Sequence, residues 1–183
     1  LGEPGAGGAA LGCRGERRAG LECTVGVLPV AVAQLGGQRL LEEVEGAKLG
    51  DAIKVTLRKF VPSGSGWTAN IPGFGLLADQ FKDPALHVWK YDAIGMTPAL
   101  YGPGGKVPLK PFAGTIGLAP AEPGLHSVVP PRRVGGNLDI RDLTAGVTLY
   151  LPVEVDGALF SIGDTHAAQG DGEVCGTAIE SQM

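Results

Sequence analysis

Turn-forming residues interrupt this chain so often that its regular elements are expected to be short. Its 31 glycines and 14 prolines mostly separate alternating apolar segments, which reads as many short strands and turns. Asp51 to Phe60 is the clearest case. Ile53, Val55 and Leu57 fall on one face and Lys54, Thr56 and Arg58 on the other, the mark of a half-buried strand. Aromatic residues make up only 5% of the chain, so the core has to come from Val, Leu, Ile and Ala.

The rest of the chain fits this pattern. Leu21 to Leu35 predicts one strand or two short ones, with Pro29 as the interruption. Leu1 to Gly20 has little apolar periodicity and is expected to pack poorly. Leu40 to Val44 has too few apolar repeats to assign, and Gly46 to Gly50 reads as a turn. Phe74 to Phe81 predicts a short helix, since Leu77 and Phe81 are four apart, with Pro84 ending it. Leu86 to Tyr91 predicts a strand with His87 and Trp89 on one face. Val147 to Ile162 reads as a β-hairpin turning at Asp156-Gly157, because Asp-Gly between apolar arms suits a tight turn. Val174 to Ile179 predicts one more strand. The expected architecture is mainly β, with one or two short helices.

Composition excludes several function classes. A formal net charge of −4 gives a nucleic-acid partner no electrostatic support. No apolar run approaches a bilayer span, so no membrane partner is expected. Cys13, Cys23 and Cys175 form no C-x-x-C pair. Their odd number argues for a reducing, cytoplasmic setting, and buried or incidental roles are expected for them. No secretory signal is visible; the chain starts at Leu1 rather than Met, so a preceding segment is expected to be missing.

The densest chemistry lies in Gly163 to Glu173, where Asp164, His166, Asp171 and Glu173 fall within eleven glycine-laced residues. Asp and His two apart share one face of an extended segment, so Asp164 and His166 can reach one ion or substrate, with Thr165 facing away. Upstream, Pro130 to Asp139 brings Asn137 and Asp139, also two apart; by itself this cluster reads more readily as an Asx-type turn. Together, Asp139, Asp164 and His166 supply two oxygens and a nitrogen. That set suits zinc or another divalent ion with positions left open for water and substrate. Such an ion lowers the pKa of bound water, and Glu173 is the natural general base beside it. Glu180 reads equally well as a second site acid or as an exposed acid ending a strand. His126, just before the proline pair, could contribute from a loop, whereas His87 beside Trp89 is expected to be packed. No G-x-S-x-G elbow surrounds Ser127 or Ser161. Cys175 lacks a Cys-His-Asn setting and is expected to be a small packed residue. Gly102 to Lys106 lacks phosphate-loop spacing.

Residues Pro108 to Glu180 resemble the acetamidase/formamidase family. The likeness is carried by Gly114-Thr115-Ile116-Gly117, then Gly135-Gly136-Asn137-Leu138-Asp139 after a proline pair. Leu151-Pro152-Val153 and Gly157-Ala158-Leu159-Phe160 follow, then the whole run Gly163 to Glu173, and Ala178-Ile179-Glu180. The Glu45-Gly46-Ala47, Gly50-Asp51 and Pro72 to Leu77 stretches are similar too. The resemblance implies antiparallel sheets in sandwich- or barrel-like parts. It also implies hydrolysis of a small linear amide, such as formamide or acetamide, to ammonia and a carboxylate. It implies a divalent metal, with zinc the first expectation and calcium as a second ion, on Asp139, Asp164 and His166. Glu173 and Glu180 are then the catalytic acids, Asn137 and His126 the substrate-binding residues, and a homo-oligomer the expected assembly. Residues 1–40 do not resemble the family and are expected to form a divergent segment before a partial family domain at 41–183. Where the family has a His-Pro-x-Thr-Gly-Pro segment this chain has Gln38 to Val44, and it stops at Met183 where family members continue. The alternative expectation is therefore a catalytically inactive, truncated β domain that binds a metal or a protein partner.

Overall fold

The structure is a computed structural model that describes the backbone of residues 10–11, 22–27, 31–36 and 39–42, and residues 43–183 in full. The expectations for Pro29 and for most of residues 1–20 lie outside the described residues. Thirteen strands follow one another: β1 (Ala10–Leu11), β2 (Glu22–Val27), β3 (Ala31–Gly36), β4 (Arg39–Glu42), β5 (Ala52–Lys59), β6 (Ser65–Asn70), β7 (Ala85–Lys90), β8 (Ala99–Tyr101), β9 (Gly105–Val107), β10 (Phe112–Gly117), β11 (Gly135–Asn137), β12 (Thr148–Pro152) and β13 (Phe160–His166). The one helix among the described residues is a 3-10 turn, Asp171–Glu173.

Two sheets face each other in a sandwich. One has the order β1-β3-β2-β5-β12 and the other β11-β10-β13-β4. Neighbouring strands run antiparallel, except the short parallel pair β1–β3. The core between them follows from the alternation of β5. Ile53, Val55 and Leu57 are fully buried, against Ile116 of β10, Leu151 of β12 and Phe160 of β13 in one aliphatic cluster. At about 25 cal/mol per Å² of apolar surface removed from water, this two-layer burial is the main force closing the sandwich. The hairpin β6–β7 lies over a second cluster around Trp89, Ala167, Ala168 and Ile179. The hairpin β8–β9 turns at residues 102–104.

Three expected elements differ. Val147 to Ile162 is not a hairpin: β12 pairs with β5, while β13 pairs with β10 and β4. Its two arms belong to opposite sheets. A tight type I′ hairpin needs positive φ at both turn residues, and here Gly157 has it (78°) while Asp156 does not. The Gly157 N–H and C=O are instead taken by Ala47 O and Val44 N, so the turn carries the chain across the sandwich. Phe74 to Phe81 makes successive turns rather than a helix. Its backbone enters the left-handed region at Gly75 (φ 92°), and Phe74, Leu76, Leu77 and Phe81 are exposed, so no buried face rewards helix formation. Val174 to Ile179 is irregular, with turns at its start and bonds from Ala167 N to Ile179 O and from Ile179 N to Ala168 O. Cys175, expected to be packed, is exposed.

Candidate functional site

One strand, β13, organises the polar centre. It runs between β10 and β4 and ends at His166, whose ring is 1% exposed. The pairing with β10 reads Thr115↔Gly163 and then Ala113↔Thr165, which leaves Gly114 facing Asp164. Asp164 there takes a left-handed backbone, φ 52°. The expected strict alternation is thus locally broken, yet Asp164 Oδ1 still reaches His166 Nε2 at 3.2 Å. Thr165 faces away, as expected, with its hydroxyl donating to Ser181 O at 2.5 Å.

The other acids arrive from separate segments. Asp139 follows β11, where Leu138 N and Asp139 N both bond to Gly114 O. Glu173 ends the 3-10 turn. Glu180 bridges Trp67 of β6 and His166 of β13, and its Oε2 lies 3.2 Å from His166 Nε2, with Glu173 Oε1 at 4.0 Å. Asp139, His166 and Glu173 form one cluster with ligand atoms within 4.8 Å of one another, and Asp164, His166 and Glu180 form a second. His166 is common to both. Six non-glycine residues have positive φ among the described residues, and three of them are Asp139 (47°), Asp164 (52°) and Glu173 (43°). Conformations of this kind cost about 1–3 kcal/mol each and gather at functional sites.

Electrostatics follow from this crowding. Burial raises the Asp139 carboxyl above the usual range, and the charge of Asp164 adds to it. Burial, then Asp139, raises Glu173 to about 7. Asp164 is lowered, first by its hydrogen bond with His166. Burial opposes a charge on His166, but hydrogen bonds donated by the ring to Asp164 and Glu180 outweigh it and raise the ring to about 10. Asp139 Oδ1 is buried with no hydrogen-bond partner, an uncommon and costly state for a carboxylate oxygen.

Asp139, Asp164, His166, Glu173 and Glu180 thus lie near one another, but the expected ligand set of Asp139, Asp164 and His166 is divided between the two clusters, with only His166 in both. Asn137 lies beside them with its amide engaged at both ends: its Oδ1 accepts from Thr115 Oγ1 at 2.9 Å, and its Nδ2 donates to Val129 O at 3.2 Å. Thr115 Oγ1 also lies 3.3 Å from Asp164 Oδ2, so Thr115 couples Asn137 to the cluster. His126 is not in either cluster; its ring bonds to Glu122 O within its own loop at 2.7 Å. His87 packs against Trp89 and Tyr101. Two residues here belong to the quoted motifs but were given no site role from sequence. Gln169 contacts His166 at 2.9 Å and the Asp139 carbonyl at 2.8 Å. Gly114 gives room, since a Cβ there would lie 2.7 Å from Asp139 Oδ1 and 2.8 Å from His166 Cε1. Gln169 stands three residues after His166 in the same loop, and that spacing was the available signal.

The fold and the cluster define a β-sandwich with an acid-and-histidine centre at the end of one strand. Comparison with known proteins places that class. Residues 121–183 match the Acetamidase/Formamidase family. Over 54 residues the chain is 56% identical to an acetamidase of Mycolicibacterium smegmatis and 56% identical to a formamidase of Methylophilus methylotrophus; each alignment covers 28% of this chain and 13% of the relative. Among solved structures, an acetamidase of Bacillus halodurans superposes with TM-score 0.71 at 36% identity, covering 76% of this chain and 46% of that one. A γ-lactamase of Delftia acidovorans gives TM-score 0.65 at 27% identity, over 84% of this chain and 49% of that one. The resemblance read from the sequence therefore holds, and the fold is that of the acetamidases. The chain spans about half the length of these solved relatives.

Proposed function

We propose that this chain carries the acid-and-histidine centre of an amidase that hydrolyses a small linear amide, with a divalent cation on Asp139, Asp164 and His166. Amide hydrolysis is supported by the family match over residues 121–183 and by the acetamidase and formamidase relatives. The observation that carries the cation reading is the orphaned, buried Asp139 Oδ1 inside a group of four carboxylates around one imidazole. Carboxylate oxygens and an imidazole nitrogen are suitable donors for zinc or a similar ion, and a positive charge would offset the burial and repulsion that raise Asp139 and Glu173. When bound, a divalent ion polarises the amide carbonyl and makes water more acidic.

The protein's own groups supply the rest. Glu173, raised to about 7 in the metal-free site, would as a carboxylate accept a proton from the attacking water and return it to the departing nitrogen. The balance is one water added and one C–N bond broken, giving a carboxylate and ammonium. Thr115 keeps Asp164 and Asn137 in place, and the remaining Asn137 N–H is available to an amide oxygen.

A second reading is a cation- or partner-binding domain without turnover. It is favoured by Trp67, Leu86 and Val88 of the β6–β7 hairpin, which are 44%, 67% and 60% exposed and line one open pocket, the kind of surface that a partner covers. Ammonia release from formamide and acetamide, with elemental analysis of the same sample, separates the two. Release that persists after full removal of the metal would refute the cation's role; a loaded protein that releases no ammonia supports the second reading.

A further inference from the structure

We propose that Gln169 is the positioning residue that fixes which nitrogen of His166 faces the carboxylates. This rests on the reading of the cluster as a cation site. The inference follows from donor and acceptor chemistry. The Asp139 carbonyl can only accept, so the group 2.8 Å from it must be the Gln169 amide nitrogen. That orientation turns Gln169 Oε1 toward His166 Nδ1 at 2.9 Å. An amide oxygen accepts only, so Nδ1 carries the hydrogen. Nε2 is then the ring atom left to exchange a proton for a cation, and it is Nε2 that faces Asp164 and Glu180 at 3.2 Å and Glu173 at 4.0 Å. The reverse amide orientation would set two oxygens against each other at the Asp139 carbonyl.

The same side chain also ties down the Asp139 backbone at its left-handed φ of 47°. One amide therefore sets the imidazole and the carboxylate that carries the orphaned oxygen. Ligating imidazoles generally donate their second N–H to a partner of this kind, and losing that partner typically costs about 10–100-fold in metal affinity.

The test uses nitrogen-15 NMR of the histidine rings, of which the chain has three, in wild type, Gln169→Met and Gln169→Glu. In metal-free wild type the His166 Nδ1–H is expected as a resolved signal protected from solvent exchange. Gln169→Met, similar in shape but without an amide, is expected to broaden it, and Gln169→Glu, which keeps an acceptor, to restore it. With zinc ion alone as the probe, competition against a chromophoric chelator is expected to show roughly 10–100-fold weaker binding in Gln169→Met. An Nδ1–H that is unprotected in wild type, or unchanged by Gln169→Met, overturns the inference, and the wild-type measurement requires no variant to fold. Wild type that binds no zinc while its Nδ1–H is protected would overturn the cation reading and leave the hydrogen-bond assignment standing.

Discussion

At Gly114 the absence of a side chain is as important as any carboxylate. A Cβ there would collide with Asp139 Oδ1, with the His166 ring and, at 2.9 Å, with Asp164 O. Gly114→Ala is therefore expected to separate the two clusters and to destabilise the chain by about 1–3 kcal/mol, the usual cost of overpacking. Chemical denaturation and zinc titration check this; unchanged affinity would show that the close approach has no role. Asp164→Ala is expected to remove cation binding and any turnover together, by more than about 10-fold each, because it deletes a donor rather than a support; equilibrium dialysis and ammonia release measure the pair. The Asp164/His166 pairing was legible in the sequence because it depends on two residues of separation. Gln169 was not, because an amide carries no ligand signature until its partners are seen.

Among the elements, β5 and β13 have different tasks. β5 builds the core by simple alternation, and for that reason its boundaries could be read almost to the residue. Ile53→Ala there is expected to cost about 2–5 kcal/mol, as deletion of a fully buried aliphatic group does, whereas Lys54→Ala, on the exposed face, is expected to stay within about 0.5 kcal/mol. Equal losses in urea unfolding would contradict the two-layer arrangement. β13 delivers chemistry, and its partners were misread: Asp156-Gly157 resembles a hairpin turn locally, but the choice of neighbour is made by burial across the sandwich. The same limit applies to Glu180. Its place depends on β6, where Gly66 lets the chain pass so close that an added Cβ would lie 2.5 Å from Glu180 O. The cue for that contact is spread over more than a hundred residues of sequence. Gly66→Ala is expected to move Glu180 away from His166 with little effect on the β5 core, seen as weaker zinc binding in a protein whose unfolding midpoint changes by less than for Ile53→Ala.

Taken as a whole, the molecule gathers four carboxylates around one imidazole, and the consequence is a stability that depends on pH and on cations together. Glu173 rises from 4.5 to about 7 on folding and Asp139 is also raised, so both favour the folded state while protonated. That contribution is present below their unfolded values and is lost as pH rises through the folded ones. His166 rises from 6.5 to about 10; its contribution is complete below 6.5 and declines toward about 10. Asp164, which is lowered, acts in the opposite sense, but only where pH falls below its unfolded value of 3.8. Glu173 as pH rises to about 7, and His166 from 6.5 to about 10, therefore make the metal-free protein lose stability between about pH 6 and about pH 9. A divalent cation should reverse the trend. It competes with the same protons, and it stabilises by the logarithm of its concentration over its dissociation constant. The rise in melting temperature on adding zinc is thus expected to be larger at about pH 8 than at about pH 6. Thermal unfolding with chelator and with zinc at both pH values decides it. A chelated protein that is more stable at the higher pH, with an equal zinc effect at both, would mean that these carboxylates do not share one site, because only mutual repulsion and burial in a common space raise Asp139 and Glu173 together.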